Sequence, residues 1–570
     1  MSSNLEEALC DSSDQIIDTF LVKDIRWLNI DAVRMERLDR DDDDFGEGFI
    51  AESHPLRPTR LIVPGRNESR APSISSSVSD MDVPIYTRET TVPLSSKKGL
   101  NGHLVFAITA AALGSSFQHG YNTAVVSNAE AVMKIWIGNL AGNRTGTATE
   151  PDSSQVTFIW AVIVSIFCLG GMIGGSLVGF VADKFGRKGG LLLNNILVVL
   201  AVIFEGAAKP TFSYEMIYIG RFLIGVNAGL NAGLAPMYLG EVSPMHLRGA
   251  VGTVYQLIIT ISILVSQILG LESIFGTASQ WPILLCLTIV PAIFQLVTLP
   301  FCPESPKYLL LGRGKDMEAQ RALSWLRGTI EVHDEMEEMR AEYESLKLIP
   351  SVSLKELLMN ATLRIPLTIA VMVMIAQQLS GINAIMSFST SIFEMANLPK
   401  DAAQMATMGV GAMNVVMTFV SLILVEKAGR KTLLLVGFSG MVIDTLLLAI
   451  CMPFAKDSTF AAYSSILLVI MFVVLFATGP GSIPWFLVSE LFNQSARPVA
   501  TSVAIGVNWT ANFLVSFGFK PLQTALDSNV FYIFAVLQAL FTFYIYRKVP
   551  ETKNKSIEEI SSMFRQISYQ

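Results

Sequence analysis

The sequence predicts an all-α membrane protein in which twelve transmembrane helices form two six-helix parallel repeats, and three observations support this. The 570 residues are 51% apolar and only 16% charged, whereas ordinary globular chains carry about 25% charged residues. The apolar residues fall in runs of roughly 20, the length that crosses about 30 Å of hydrocarbon. Short polar motifs at the ends of these runs occur once in each half of the chain, in the same order. Parallel repeats of this kind are typical of transporters with a central site.

Twelve apolar runs are long enough to cross a bilayer, and we number them spans 1 to 12. Spans 1–6 constitute the N half of the chain, and spans 7–12 constitute the C half. The runs are 103–127, 157–181, 190–208, 214–238, 249–272 and 281–301, followed by 365–393, 404–425, 432–454, 462–487, 498–520 and 529–547.

Three polar motifs define the repeat. Each occurs in both halves at the corresponding end of a span, and the order of the motifs is the same in the two halves, as expected for a duplicated unit. The first motif is Gly186-Arg187-Lys188 in the N half and Gly429-Arg430-Lys431 in the C half. The second is Glu241 with Arg248, which corresponds to Glu490 with Arg497. The third is Pro303-Glu304-Ser305, which corresponds to Pro550-Glu551-Thr552.

The regions outside the spans differ in composition. Residues 1–98 hold 19 acidic and 12 basic residues, which accounts for the whole net charge of −7. Polar tracts of this kind remain largely disordered. We expect a cytoplasmic extension that is either a solvated tail or a docking segment for a cytoplasmic partner. The rest is predicted to comprise an N-terminal six-helix bundle (99–301), a cytoplasmic linker (302–364), a C-terminal six-helix bundle (365–547) and a cytoplasmic tail (548–570).

The linker has the pattern of amphipathic helices. Its apolar residues recur at steps of three and four, which places them on one helical face. We therefore expect several short helices beneath the membrane body, joining the two bundles. The residues of this face are Val332, Met336, Met339, Tyr343 and Leu346.

Lysine and arginine residues concentrate on the side of the membrane that carries the linker and the C-terminal tail. Cytoplasmic loops carry such an excess, so we predict a multi-pass plasma-membrane protein with both termini in the cytoplasm. The loop after span 1 then faces outwards. Its sequon, Asn143-Arg144-Thr145, makes Asn143 the candidate glycosylation site.

Charged residues at the cytoplasmic ends of the spans form a candidate inner gate. Acidic and basic residues occur together with equal spacing in both halves, and contacts between them can break and re-form when a protein changes state. We predict that they bridge the two halves when the cytoplasmic side is closed. The alternative is that positive charge only orients the chain. The set is Arg187, Glu241, Arg248, Glu426, Arg430, Glu490 and Arg497.

Neutral polar residues within the spans are the candidate substrate ligands. An amide offers both donors and an acceptor, which suits the hydroxyl groups of a sugar, and an indole can stack on an apolar sugar face. A single amide in a span is often helix–helix glue, but three of them cluster in span 7, where Gly381 also interrupts the helix. Span 10 is interrupted by Pro480, Gly481 and Pro484. The candidates are Gln256, Gln377, Gln378, Asn383, Asn414, Trp485, Asn508 and Asn512.

The titratable residues of the spans favour uncoupled transport. A proton symporter is expected to carry an ionisable residue near its site. Span 1 has Asn122, which cannot take up a proton, and His119 is the one titratable residue close to it. Spans 7, 8, 10 and 11 contain no acidic residue at mid-span. We therefore expect passive transport.

An enzymatic function is not expected. The sequence has no nucleophile–base pair and no metal-ligand spacing, and its five cysteines are scattered. We expect no catalytic residue, no metal and no cofactor. Outside residues 1–98 the chain is electrically neutral, which suggests no nucleic-acid partner. The expected partners are a small molecule and the lipid bilayer.

As a set, the motifs resemble those of the animal facilitative glucose transporters, which are sugar porters of the major facilitator superfamily. The resemblance spans about residues 100–565. It implies the major facilitator fold, alternating access and hexose uniport, with sugar held by Gln256, Gln377, Gln378, Asn383, Asn414, Trp485 and Asn508. The motifs are Gly186-Arg187-Lys188, Pro236 to Pro244, Pro303 to Pro306, Gln377 to Asn383, Gly479 to Trp485 and Pro550 to Lys553.

Departures from the family pattern leave the hexose open. Met374-Ile375-Ala376 stands where the glucose-selective members have Gln-Leu-Ser, and Ala477 replaces a glutamate that contacts sugar in the family. The stretches Gly114 to Gln118 and Asn414 to Thr418 resemble the fructose-transporting branch, whereas Trp485 favours glucose. We expect glucose first, with a fructose-preferring or dual carrier as the alternative. A proton–sugar symporter and a transporter-like sugar sensor are the further alternatives.

Overall fold

The computed structural model describes residues 100–570, apart from 147–149, 152, 245–246, 348–351, 456, 494, 554, 556 and 570. Within these residues every regular element is helical. The predicted extension 1–98 lies outside the described residues. The side chains of a few helical residues, Arg248 and Glu426 among them, also lie outside the description.

The N half contains its six spans in the predicted order. Span 1 is divided into the helix Gly102–Ala111, a π-helical turn Ala112–Ser116 and the helix Phe117–Ala124, and a further helix, Glu130–Thr145, follows it. Spans 2 to 5 are Ser154–Phe185, Arg187–Ala207, Glu215–Val242 and Arg248–Leu269. Span 6 consists of Trp281–Cys286, Ile289–Thr298 and the 3-10 turn Leu299–Phe301.

The C half also follows the prediction, including its two helix breaks. Span 7 is Ala361–Leu379 and Ile382–Met395, divided at Gly381, whose φ of 96° lies in the left-handed region that favours glycine. Span 10 is Thr459–Thr478 and Ile483–Leu491, divided at the Gly-Pro-Gly stretch. The unbroken spans 8, 9, 11 and 12 are Lys400–Ala428, Arg430–Phe454, Arg497–Leu526 and Val530–Lys548.

Nine helical stretches of the described chain are long and apolar enough to cross a membrane. This number is below twelve because span 1 is divided into short helices and span 5 contributes only the apolar stretch Val254–Leu269. Spans 11 and 12 fall within one continuous stretch, Arg497–Lys548. The twelve predicted crossings are therefore all helical.

Glycines of span 2 allow close packing on both of its neighbours. A Cβ atom at Gly170 or Gly174 would overlap the backbone of span 4, and one at Gly171 would overlap the ring of Trp509 in span 11. Span 2 thus joins the two halves through span 11, and span 5 joins them through span 8. Further along span 2, the space beside Gly179 is open.

The linker contains the helices Asp316–Arg327, His333–Lys347 and Leu354–Met359, as its periodicity predicts. Val332, Met336 and Met339 pack together with residues of the helix Asp316–Arg327. The side chains of Tyr343 and Leu346 lie outside the description. Arg327 donates to the carbonyl of Val242 at the end of span 4 (2.9 Å). We call this side of the bundle the linker side and the opposite side the far side.

Candidate functional site

Four of the predicted substrate ligands form one hydrogen-bonded cluster in the C half. Gln378 donates to the Oδ1 atom of Asn508 (3.0 Å), and Asn508 donates to the Oε1 atom of Gln377 (2.8 Å). Asn383, two residues beyond Gly381 at the break of span 7, donates to Gln378. Gln377, Gln378 and Asn508 are buried, and Asn383 is half-buried. Spans 7 and 11 therefore present a continuous row of amide groups.

The break in span 10 fixes one end of this amide cluster. Its backbone leaves the helix at Gly479, so the carbonyls of Pro480 and Gly481 have no helical partner further along the chain. Both accept hydrogen bonds from the Nε2 atom of Gln377, at 2.9 and 2.8 Å. Non-helical backbone at membrane depth is tolerated where it lines a cavity. The helix break and the amides thus belong to one site.

Three other predicted ligands lie on separate spans and are more exposed. Trp485, in the second helix of span 10, is 40% exposed. Gln256 of span 5 is exposed, and Asn414 of span 8 is half-buried. Within the described residues none of these side chains hydrogen-bonds to the amide cluster, so each remains available to a ligand. Asn512 instead accepts from the hydroxyl of Ser516 (3.2 Å).

An aromatic group from both halves lies beside Gln256. His119 of span 1 stacks on Trp509 of span 11 with ring centroids 6.0 Å apart. The Nδ1 atom of His119 is 3.1 Å from the hydroxyl of Tyr255, the residue before Gln256. The sequence analysis noted His119 but missed Tyr255 and Trp509, because aromatic residues in a span are ordinarily packing residues.

A second set of amides, which the sequence analysis missed, lies in the N half. Gln118 donates to Asn195 (2.9 Å), Asn195 donates to Gln295 (2.8 Å), and Gln295 donates to the hydroxyl of Ser115 (2.8 Å). All four side chains are at most 1% exposed. This chain of bonds joins spans 1, 3 and 6, and Asn231 connects span 4 to it through Gln118. We call these residues the N-half amide network.

The linker-side charges of the N half form a closed arrangement. Arg187 donates to Glu241 through Nε (3.1 Å) and a terminal nitrogen (2.9 Å). Ser305 donates to the other oxygen of Glu241. Glu304 accepts from the backbone N–H groups of Arg187 (3.0 Å) and Lys188 (2.9 Å). Spans 2, 3, 4 and 6 are tied together at this end.

The C half repeats this arrangement bond for bond. Arg430 donates to Glu490 at 3.0 and 2.8 Å, and Thr552 donates to the other oxygen of Glu490 (2.5 Å). Glu551 accepts from the backbone N–H groups of Arg430 (2.9 Å) and Lys431 (3.0 Å). Partial burial favours a higher pKa for Glu551, but the backbone hydrogen bonds outweigh it and the pKa is lowered.

The predicted inner gate bridges the two halves when the cytoplasmic side is closed, and this stays a prediction. In the structure described here, Arg187 and Arg430 each pair with a glutamate of their own half. Arg497 donates to the backbone carbonyl of Phe492. Arg248 and Glu426 have side chains outside the description. These pairings are local, because each Gly-Arg-Lys turn lies beside another helix end of the same repeat.

The far side carries the candidate glycosylation residue. Asn143 is exposed near the end of the helix Glu130–Thr145. The next residue, Arg144, forms an ion pair with Glu215 at the start of span 4 (2.5 Å). The loop after span 1 thus begins as a helix attached to the rest of the N half.

Two buried acids within spans were also missed. Glu205, near the far-side end of span 3, is fully buried, and neither of its carboxylate oxygens has a hydrogen-bond partner within the described chain. It interacts electrostatically with the buried Arg221 of span 4, which donates to the backbone carbonyl of Asn122 (3.0 Å). Asp444 of span 9 is 4% exposed. The prediction of uncoupled transport rests on spans 1, 7, 8, 10 and 11, which do not contain these two acids.

Comparisons with known proteins agree with this architecture. Residues 107–564 match the family model "Sugar (and other) transporter". The chain is 45% identical over 477 residues to mouse facilitated glucose transporter member 4, covering 82% of this chain and 92% of the relative. It is 44% identical over 463 residues to facilitated glucose transporter protein 1 of Caenorhabditis elegans, covering 80% and 89%.

Solved structures share the fold at lower sequence identity. The xylose transporter XylE from E. coli, in a partially occluded inward-open conformation, superposes with a TM-score of 0.67 at 24% identity, covering 80% of this chain and all of that one. A proton:xylose symporter structure of the major facilitator superfamily gives a TM-score of 0.65. Together with the motifs, the repeated ion pairs and the central amides, these similarities assign the chain to a class of transporters and not of enzymes. The chain belongs to the facilitative glucose transporter family, among the sugar porters of the major facilitator superfamily.

Proposed function

We propose that this protein is a facilitative hexose uniporter that favours glucose and works by alternating access. The observation that carries the proposal is the amide cluster of spans 7 and 11 at the helix breaks, in a chain 45% identical to a facilitated glucose transporter. Amide groups bond hydroxyls in both directions, and no charged side chain belongs to the cluster. The proposed sugar ligands are Gln256, Gln377, Gln378, Asn383, Asn414, Trp485 and Asn508.

The preference for glucose over fructose is supported by Trp485. Its indole is 40% exposed one turn beyond the break in span 10, where an apolar sugar face can stack on it. Ala477 supplies no carboxylate from the preceding helix, which supports a fructose-preferring or dual carrier as the alternative. Direct competition between the two sugars for uptake distinguishes these proposals.

The orientation and domain division are proposed on charge and contacts. The linker side carries the excess of lysine and arginine, so we place it in the cytoplasm of a plasma-membrane protein. The proposed cytoplasmic segments are then the extension 1–98, the linker 302–364 and the tail 548–570. The proposed membrane bundles are 99–301 and 365–547. Asn143 faces outwards and is the proposed glycan site. A partner for the extension would be cytoplasmic.

Proton-coupled transport is the second candidate, and Glu205 favours it. A buried carboxyl group that has no hydrogen-bond partner among the described residues and lies close to Arg221 is the type of group that exchanges a proton during a transport cycle. Against it, Glu205 lies on span 3, outside the amide cluster. Asn122, which Arg221 contacts, cannot ionise.

The test is uptake of labelled glucose and fructose by purified protein in proteoliposomes, with and without an inward proton gradient. Uniport predicts equilibration and counterflow, without accumulation when the outside is acidified. Accumulation driven by protons, abolished by Glu205→Gln, would establish the second candidate. A sugar sensor would show no counterflow. Trp485→Ala should reduce uptake while Gln320→Ala, in the linker, should not.

A further inference from the structure

A buried ion pair connects the two halves on the far side. The Nζ atom of Lys520, in span 11, is 2.9 Å from the carboxylate of Glu130, which begins the helix after span 1. The two side chains are only 8% and 7% exposed. Breaking such a pair without rehydrating it leaves a charge uncompensated in a dry environment, so the pair favours the conformation in which the halves touch here.

The residues around this pair also connect the halves. Lys520 donates to the hydroxyl of Ser391 in span 7 (2.5 Å). The neighbouring Thr390 donates to Asn128, two residues before Glu130 (2.6 Å), and Asn128 donates to the carbonyl of Gln267 in span 5 (2.6 Å). Lys134 lies 3.6 Å from Glu130. The ends of spans 1, 5, 7 and 11 thus meet at one polar junction.

The position of the junction contrasts with that of the linker-side ion pairs. Arg187–Glu241 and Arg430–Glu490 lie within single halves, so relative movement of the halves does not need to break them. Glu130–Lys520 lies between the halves, so any opening of the far side must separate it. Alternating access requires such an opening once in each cycle.

A water-accessible cavity lies against the junction and offsets the cost of separation. It has a volume of about 510 Å³ and is lined by Glu130, Lys134, Glu394, Lys520 and Asp527, among others. One oxygen of Glu130 is buried and has no hydrogen-bond partner within the described residues. When the halves part, both charges of the pair enter an already polar space, where water can solvate them.

We propose that Glu130 and Lys520 form the latch of the far-side gate, a pair of gating residues that sets how often the binding site opens to that side. The latch affects how often the far side of the carrier opens, and it makes no contact with the sugar. The proposal rests on the proposed transport function, since a gate matters only for a carrier.

The test measures far-side opening directly, without sugar. Ser127 is 1% exposed and borders the cavity, so a cysteine there is reached by a membrane-impermeant methanethiosulfonate reagent only when the junction opens. In the full-length Ser127→Cys protein in proteoliposomes, we expect Glu130→Gln and Lys520→Met each to raise the modification rate about ten-fold or more, by removing one partner of a buried pair. The parent protein without Ser127→Cys corrects for the native cysteines.

The matched control is Lys400→Gln. Lys400 also forms an ion pair between the halves, with Glu272 at 2.8 Å, but these side chains are 39% and 50% exposed. Exposed pairs contribute little, so its modification rate should stay within about two-fold of the parent rate. The double variant Glu130→Gln/Lys520→Met should resemble the single variants, because both remove the same interaction.

The latch would be overturned if the two substitutions raised the modification rate independently, so that their effects multiplied in the double variant. It would also be overturned if neither substitution changed the modification rate. Should Glu130→Gln fail to fold, Glu130→Asp keeps the charge and loosens the contact, and a faster modification rate is again expected. Hexose uptake by the parent protein is measured alongside. Absent uptake with an altered modification rate would refute the transport proposal while keeping the gate, and normal uptake with unchanged rates would refute the latch alone.

Discussion

The two halves repeat the same ion pairs but use their amide side chains in different ways. In the N half, Gln118, Asn195 and Gln295 are almost fully buried and bond to each other. In the C half, Gln378 and Asn508 form a similar chain, but it ends at the half-buried Asn383 and beside helix breaks. We therefore expect the closely packed N-half amides to serve packing, and the C-half amides beside the helix breaks are the ones proposed to bind sugar.

The kind of helix break accounts for this difference. The N-half network joins the unbroken spans 3 and 4 to spans 1 and 6, whose divisions keep right-handed helical backbone. The C-half cluster lies where spans 7 and 10 leave helical geometry, so backbone carbonyls and side chains converge on one place. Broken helices of this type are how transporters form their central sites.

The substitution Gln378→Ala in the C half should have the largest effect on transport. It removes one proposed sugar ligand, takes away the acceptor of Asn383, and takes away the donor to the Oδ1 atom of Asn508. A lost buried hydrogen bond costs about 1–3 kcal/mol, so we expect the apparent affinity for glucose to fall about 10- to 100-fold. Concentration-dependent uptake measures this. An unchanged affinity, with Gln320→Ala as the matched control, would remove Gln378 from the site.

In the N half, Asn195→Leu should lower the stability of the protein and leave its glucose binding almost unchanged. Its loss leaves Gln118 without an acceptor and Gln295 without a donor in a buried setting. We expect the free energy of unfolding to fall by about 1–3 kcal/mol, with the glucose affinity within about two-fold of the original because no proposed ligand is touched. Thermal unfolding in detergent and uptake measure the two quantities. A loss of affinity at unchanged stability would place the N-half network in the binding site.

The comparison also shows which features a sequence can predict. The spans, their breaks and the repeated motifs were predictable because run length, Gly381 and the Gly-Pro-Gly stretch act locally. The sequence predicts that Arg187 and Arg430 pair with acidic residues. It does not predict that each acidic residue belongs to the same half as its arginine, because that depends on how the helix ends meet. Nothing local distinguishes Asn195 from Asn508. Their different surroundings arise from tertiary packing. For the same reason, the sequence does not indicate that Lys520 pairs with Glu130.

The smallest expected effect concerns Glu551, whose counterpart in the N half is Glu304. The backbone N–H groups of Arg430, Lys431 and Lys553 lower the pKa of Glu551 in the folded protein, although partial burial opposes this. A lowered folded-state pKa means that the ionised group contributes stability above its unfolded pKa of about 4.3, and that this contribution is lost as the pH falls through the folded pKa.

Glu551→Gln tests this contribution through the pH dependence of stability. At pH 7 the variant should be less stable by under about 1 kcal/mol, because the group is largely solvated and its interactions are screened. The difference from the parent should shrink as the pH falls below about 4.3, since protonation of Glu551 then removes the same charge in the parent protein. Thermal unfolding between pH 7 and pH 3 measures it, with Glu304→Gln as the equivalent change in the other repeat. A difference that stays constant over this range would mean that Glu551 acts through shape and not through charge, so that Arg430–Glu490 carries the charge interaction of this arrangement in the C half.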